Sequence, residues 1–206
     1  MTIMQIRVGI DNFCYIIFCP KKMKAAIVDP GYNFSNIIDL ISKNNLILEY
    51  IIATHYHMDH TGCINQIKKA YPNSKIIASE KDGSLLDSKV DITVSDNDNV
   101  ELGYVSLRFI LTPGHTPGGI CIIVDDEALL TGDTLFIGDC GRTDLLGGNI
   151  TQMFKTLQEK IMPLPDHLIV YPGHDYGDKP FDKLGNQKRT NKTLLVKNFK
   201  EFSKIP

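Results

Sequence analysis

The sequence predicts an α/β fold whose chemistry sits on the loops that follow its strands. Between residues 49 and 78 a short Ile-rich run, an amphipathic stretch and a second apolar run follow one another as strand, helix and strand. From 91 to 133 strand character returns in short Val- and Ile-rich runs set off by Gly and Asp-Asp turns, so the second half repeats the sheet-building of the first. Strand ends at 54–62, 112–119, 132–134 and 172–177 run into segments holding His, Asp, Gly and Pro. With 206 residues and 43% hydrophobic content the chain has enough material for a substantial core, and we assign 1–206 as a single domain.

Taken in order, residues 5–10, 14–18 and 24–28 are apolar runs separated by Asp11-Asn12 and Pro20-Lys21-Lys22, the pattern of an antiparallel meander. Asp29-Pro30-Gly31 turns the chain, and Ser35 caps a helix that carries Ile37, Ile38, Leu40 and Ile41 and stops at Asn44-Asn45. A strand over 49–53 delivers the first histidine loop, a helix runs from about 61 to 70, and 75–78 is a buried strand. Strands follow at 92–94, 105–111, 120–124 and 128–131, then a helix over 150–162 with Met153, Phe154, Leu157 and Ile161 on one side, and a last core strand at 168–171. Beyond Pro180 the tail is basic and amphipathic, and Leu194, Leu195, Val196 and Phe199 predict that it docks as a helix.

Composition narrows the function classes. A net charge of -2 leaves no basic footprint, which argues against nucleic acid or an anionic membrane as partner and for a small-molecule substrate. The five cysteines, 14, 19, 63, 121 and 140, are odd in number, form no CxxC pair and sit in apolar contexts, as expected of a reduced cytoplasmic protein in which they pack. No charged segment leads into a long apolar one near the N-terminus, so neither a signal peptide nor a membrane span is expected.

The stretch Thr54-His55-Tyr56-His57-Met58-Asp59-His60-Thr61-Gly62 concentrates three of the chain's six histidines and a carboxylate within six positions. Clusters of that kind mark metal sites. The later loops add His115, Asp133 and His174, making seven candidate ligands, which suit two metals rather than one. Imidazole and carboxylate donors favour Zn, Fe or Mn over Cu(I). Three His on one ion, Asp59 with two His on the other, and Asp133 shared between them is a simple partition. Two such cations lower the pKa of a water held between them towards neutrality and polarise a carbonyl or phosphoryl oxygen, which is the chemistry of hydrolysis. Other candidates carry blander readings. His167 precedes a strand outside every glycine loop and reads as a surface histidine. Cys63 and Cys140 flank metal loops and read as packing residues, and Asp175 is either an orienting carboxylate for His174 or a turn residue. The basic tail reads either as a solvated helix face or as one from which Lys188 or Arg189 reaches a substrate carboxylate, the first being the simpler.

In order, spacing and flanking glycines, His55-x-His57-x-Asp59-His60, Gly114-His115-Thr116, Gly132-Asp133-Thr134 and Gly173-His174 resemble the signature of the metallo-β-lactamase superfamily. The resemblance implies an αβ/βα sandwich of two mixed sheets flanked by helices. It also implies a first metal on His55, His57 and His115 and a second on Asp59, His60 and His174, with Asp133 shared. Thr131-Gly132-Asp133-Thr134-Leu135-Phe136, Cys140-Gly141-Arg142 and Gly173-His174-Asp175-Tyr176 look most like the glyoxalase II branch, which hydrolyses thioesters such as S-lactoylglutathione. On that resemblance Arg142 and Tyr176 hold the thiol carrier, Asp59 and Asp133 are the catalytic carboxylates, and the cofactor is two divalent ions, zinc first, with iron or manganese as alternatives. The chain departs from the branch at Asp144, where a tyrosine is usual, and it ends before the helical substrate domain of full-length members. Cys140-Gly141-Arg142-Thr143-Asp144 also resembles the persulfide dioxygenases, which use one iron on the positions matching His55, His115 and Asp133. The complete second set of ligands favours the hydrolase. A true β-lactamase is disfavoured by Asp133, where many of those enzymes place a cysteine, and a nuclease by the lack of a basic surface.

Overall fold

Strict alternation along the strands decides the layers. In the computed structural model, which describes residues 1–205, strand β2 (Asn12–Phe18) turns Phe13, Tyr15 and Ile17 to one side and Cys14 and Ile16 to the other, and all five are buried. A strand apolar on both faces needs cover on both.

The first sheet contains β1 (Thr2–Val8), β2, β3 (Lys24–Val28), β4 (Ile47–Ile52), β5 (Lys75–Ser79) and β6 (Ile92–Val94) in that spatial order, with α1 (Phe34–Lys43), α2 (Met58–Thr61), α3 (Ile64–Ala70) and α4 (Glu80–Gly83) in the connections. Its first three strands are antiparallel, and β3 through β6 are parallel. The second sheet contains β7 (Asn99–Leu102), β8 (Val105–Leu111), β9 (Ile120–Val124), β10 (Ala128–Gly132), β11 (Ile169–Pro172) and β12 (Asp182–Lys183), and only β10 and β11 run parallel. Between β10 and β11 lies α5 (Ile150–Lys155), continued by a π-helical turn at Thr156–Ile161; α6 (Leu184–Thr190), α7 (Lys192–Leu195) and α8 (Phe199–Phe202) follow β12.

The two sheets bury a shared core of Phe13, Tyr15, Ile52, Leu107, Phe109 and Ile122 with their neighbours. Ile37 and Ile41 of α1 with Ile64 and Ile67 of α3 cover the outer face of the first sheet, and Met153, Leu157, Leu184 and Phe202 cover that of the second. This is the expected αβ/βα sandwich. Each fully buried large side chain such as Phe109 contributes on the order of 1.5–3 kcal/mol. Among the described residues no helix is long and apolar enough to cross a membrane.

Several boundaries differ from expectation for identifiable reasons. The first strand ends at Val8 rather than residue 10, because Gly9 takes a positive φ of 67° and turns the hairpin, leaving Ile10 90% exposed. The helix expected from 61 starts earlier and in two pieces: Met58–Thr61 closes on the amide of Gly62, and the Cys63 amide then donates to Pro30 O. Asp59 and His60 therefore ride on a helical turn rather than an open loop. The tail docks, but as three short helices. Asn191 leaves helical angles, accepts the Thr193 amide and donates to Phe136 O and Asp139 O, so the chain breaks where its side chain is committed to the site loop. Leu194 is buried as expected, whereas Leu195 and Phe199 lie exposed. The edges β7 and β12 are short and largely polar, and neither is among the expected strands.

Candidate metal centre

The ends of β4, β8, β10 and β11 and the turns that follow them meet at one edge of the sandwich, where all seven candidate ligands converge. Ligand atoms of His55, His57 and His115 lie within 4.8 Å of one another, as do those of Asp59, His60 and His174. Asp133 stands between the groups, its Oδ2 3.5 Å from His115 Nε2 and 3.3 Å from His174 Nε2 and its Oδ1 3.4 Å from His60 Nε2. Gly173 makes room for this, since a Cβ there would overlap Asp133 Oδ1.

Hydrogen bonds on the far side of the rings fix which nitrogen faces inward. Asp29 Oδ2 accepts from His60 Nδ1 at 3.1 Å and from Thr54 Oγ1 at 2.6 Å. Because the Thr54 hydroxyl proton is committed to Asp29, its oxygen accepts from His55 Nδ1 at 3.0 Å, and His55 Nε2 is left as a bare lone pair. His115 Nδ1 donates to Arg142 O at 2.8 Å, and His174 Nδ1 to Asp11 Oδ1 at 3.3 Å. Inward, His60 Nε2 faces His174 Nε2 at 3.1 Å and His115 Nε2 faces His57 Nδ1 at 2.9 Å. Two unprotonated nitrogens at that separation repel unless a cation or a proton lies between them.

Two further atoms make the same demand. His55 Nε2 and Asp133 Oδ1 are buried without any hydrogen-bond partner, and an orphaned acceptor in a buried site costs about 1–3 kcal/mol unless something positive satisfies it. The donor set, borderline imidazoles and hard carboxylates with no thiolate, fits zinc, iron or manganese. A third close grouping, Asp29, His55 and His60, is the scaffold just described, its members already linked by hydrogen bonds.

Titration follows the same geometry. Burial pushes His55 and His57 below the ordinary histidine range, towards the neutral ligand form. Burial also opposes charge on His60 and His174, but carboxylates outweigh it: Asp133, Asp29 and Asp59 raise His60, and Asp133 and Asp59 carry His174 up to about 10. Burial works against ionised Asp59 and Asp133 too. Hydrogen bonding from His174 and the charge of His60 nonetheless hold both carboxyls well below their usual range.

The substrate side is a cavity of about 480 Å³ whose lining includes His57, Asp59, Asp133, Phe136, Arg142 and Tyr176. Tyr176 stacks on His174, ring centroids 4.7 Å apart and planes within 8°; burial and the nearby carboxylates Asp11, Asp133 and Asp59 push its hydroxyl up to about 12. Arg142 is at the cavity as expected, but its guanidinium is engaged: Nε and Nη2 donate to Asp144 Oδ1 and Oδ2 at 2.6 and 2.7 Å.

Other candidates resolve plainly. Asp175 does not orient His174; it pairs with Arg7, and Asp11 takes the orienting position. His167 lies at the surface and bonds Asp126 O. Cys63 and Cys140 stand outside the ligand groups, and burial raises both thiols, Cys140 to about 12. Lys188 is tied to Leu164 O and Asp166, and Arg189 to Asn186, and neither lines the cavity beside the candidate ligands. Sequence reasoning missed Asp29, Thr54, Asp11, Asn12, which donates to Asp59 Oδ2 at 2.9 Å, and Asp82, which accepts the amides of Tyr56 at 3.2 Å and Gly118 at 2.6 Å. The signal for Asp29 is a carboxylate directly after a strand and before Pro-Gly, a pattern that an ordinary turn shares.

Comparison with known proteins gives this arrangement its family. The profile of the metallo-beta-lactamase superfamily matches residues 8–174. The chain belongs to the metallo-β-lactamase superfamily. Among superfamily relatives, it is 33% identical to the probable polyketide biosynthesis zinc-dependent hydrolase BaeB of Bacillus velezensis, over 93% of this chain and 85% of that one. It is 30% identical to the mitochondrial persulfide dioxygenase ETHE1 of Homo sapiens, over 94% and 75%. It is 35% identical to the probable hydroxyacylglutathione hydrolase glo2 of Schizosaccharomyces pombe, over 81% of this chain but only 64% of that longer protein. Among solved superfamily structures, ETHE1 from Myxococcus xanthus superposes with a TM-score of 0.89 at 27% identity, covering 100% of this chain and 89% of that one. Relatives of both hydrolase and oxygenase name are therefore similar to this chain, and use of a divalent metal agrees with the geometry.

Proposed function

We propose that the protein is a dinuclear metal-dependent hydrolase that cleaves a thioester of the S-lactoylglutathione type or a related acyl-thiol. The observation that carries this reading is the second cluster. Asp59, His60 and His174 come together as tightly as His55, His57 and His115, with Asp133 between, which a single-metal enzyme does not need. In this reading His55, His57 and His115 hold one ion, Asp59, His60 and His174 the other, and Asp133 is shared. Zinc is the favoured metal, in keeping with the name of the Bacillus velezensis relative, with iron or manganese as alternatives.

When bound, the pair of ions supplies a water of near-neutral pKa and an electrophile for the thioester carbonyl. The rest falls to the chain's own side chains. Asp59 and Asp133, held ionised, supply the negative charge that keeps the ions in place and accept hydrogen bonds from an attacking water, so that its lone pair points at the acyl carbon. Asn12 orients Asp59, Asp11 orients His174 and Asp29 orients His60. Arg142 and Tyr176, at the cavity wall, contact the thiol half away from the scissile bond.

The similarity to persulfide dioxygenases supports a second reading, an oxygenase with one iron on His55, His115 and Asp133. The separating experiment uses protein purified without added metal. Metal content, thioester hydrolysis and persulfide-dependent O₂ uptake are measured for the wild type and for His174→Ala. Hydrolysis with two metals per chain, and turnover falling at least 10- to 100-fold with loss of one metal in the variant, is the expected result. One tightly held iron with undiminished O₂ uptake in His174→Ala would overturn it.

A further inference from the structure

The cavity holds a charge arrangement that the thioesterase reading leaves unexplained. Of its charged lining residues apart from histidines, Asp59, Asp133 and Asp139 are anionic and Arg142 is the one cation among the described residues. That cation is not free. Its side-on edge lies on the carboxylate of Asp144 in a bidentate pair, Nε to Oδ1 at 2.6 Å and Nη2 to Oδ2 at 2.7 Å. The Arg142 hydrogen bonds keep Asp144 ionised, its carboxyl held down to about 2. Asp139 is itself paired with Lys192 at 2.6 Å, so that lysine is not available to an incoming anion either.

The rest of the outer wall is apolar. Leu145 and Phe136 line the cavity, and Met58 does so with 65% of its surface exposed. The Leu145-Leu146 segment is held at the rim by the Tyr56 hydroxyl, which donates to Leu146 O at 2.8 Å. A thiol carrier entering past this wall meets hydrocarbon, the Tyr176 ring and one guanidinium whose side-on edge is already filled from within the chain.

We infer that Asp144 is a specificity-determining residue, which occupies Arg142 and thereby turns the cavity from thioesters with an anionic thiol half towards those whose thiol arm carries no charge. The inference rests on the thioesterase reading. A glutathione carboxylate must either displace Asp144 or settle beside it as a second negative charge, whereas an uncharged amide-bearing thiol needs neither. Exposed pairs of this kind are weak, so the discrimination is modest, roughly five-fold in relative kcat/KM.

The test compares S-lactoylglutathione with the uncharged S-lactoyl-N-acetylcysteamine on metal-loaded wild type, Asp144→Asn and Asp144→Asn/Arg142→Ala. The wild type should favour the uncharged thioester, and Asp144→Asn should move the glutathione to N-acetylcysteamine ratio of kcat/KM about five-fold towards glutathione, through KM rather than kcat. The double variant should lose that gain, since it depends on the freed guanidinium. Calorimetric titration with S-methylglutathione, a thioether that cannot be hydrolysed, should show the same gain in affinity. An unchanged ratio and affinity in Asp144→Asn, or a gain that survives in the double variant, overturns the inference. Should no variant cleave either thioester, the hydrolase reading fails by itself, and the thioether titration still decides the part played by Asp144.

Discussion

Asp29→Asn exchanges one carboxylate oxygen for an NH₂ with almost no change of volume, and its consequences reach both candidate ligand groups. The Asp29 carboxylate is 2% exposed and accepts three donors, the Thr54 amide at 2.7 Å, the Thr54 hydroxyl at 2.6 Å and His60 Nδ1 at 3.1 Å. In the asparagine the remaining oxygen keeps the Thr54 amide, and the new NH₂ faces the Thr54 hydroxyl and His60 Nδ1. Both must then accept. His60 moves its proton to Nε2, the nitrogen that would hold a metal, and the released Thr54 hydroxyl donates to His55 Nδ1, driving that ring to the same wrong tautomer. Losing an outer orienting partner costs about 10- to 100-fold in metal affinity, which is ~1.4–2.7 kcal/mol per site. Because each group contains one affected histidine, both sites should weaken while metal-free stability changes far less, the amide still filling the space and satisfying its neighbours. A chelator-competition titration of zinc and a thermal melt of the metal-free protein measure the two effects. Unaltered affinity at both sites would refute the tautomer argument, and loss at one site only would refute the part that runs through Thr54.

Three further outcomes follow from the same geometry. Asp133→Ala should lose both metals and all hydrolysis, because two cations at short range lose their shared anion; elemental analysis showing two metals per chain would contradict this. In the metal-free protein the carboxylates around His174 carry it up to about 10, so it holds a proton at neutral pH that an incoming metal must displace, and they shift His60 in the same direction. Zinc affinity should therefore climb as pH rises towards about 10, the value for His174, with proton release seen as a binding enthalpy that changes with buffer; a buffer-independent enthalpy near pH 7 would count against it. Asp82→Ala leaves the buried ends of the Tyr56 and Gly118 amides without an acceptor at about 1–3 kcal/mol each. It should lower the melting temperature and weaken the His57 and His115 side of the centre, and a melting temperature unchanged by the variant would show that the carboxylate is replaced by solvent.

The layers were legible because period-two alternation in runs such as Phe13 to Phe18 states which side chains need cover on which face, and that requirement is local. The candidate ligands, and their convergence, were legible for a related reason. Metal chemistry restricts donors to a few residue types, so His55, His57, Asp59 and His60 stand out by composition, and the Gly and Pro beside His115, Asp133 and His174 mark them as shaped strand ends. What supports and modulates these residues was not legible. Asp11 and Asp29 lie 163 and 31 positions from the histidines they orient, and an ordinary aspartate in a turn acquires that role only when the β1–β2 hairpin and the end of β3 pack beside the later loops. The break of the tail at Asn191 was hidden likewise, since its amide is committed to carbonyls of Phe136 and Asp139 more than 50 positions earlier. Arg142 shows the division most directly. Its positive charge is a property of the sequence, but whether that charge is available to a substrate depends on the backbone of 142–144 curling so that Asp144 faces it, and only tertiary structure decides which of two neighbouring charges is left to meet a ligand.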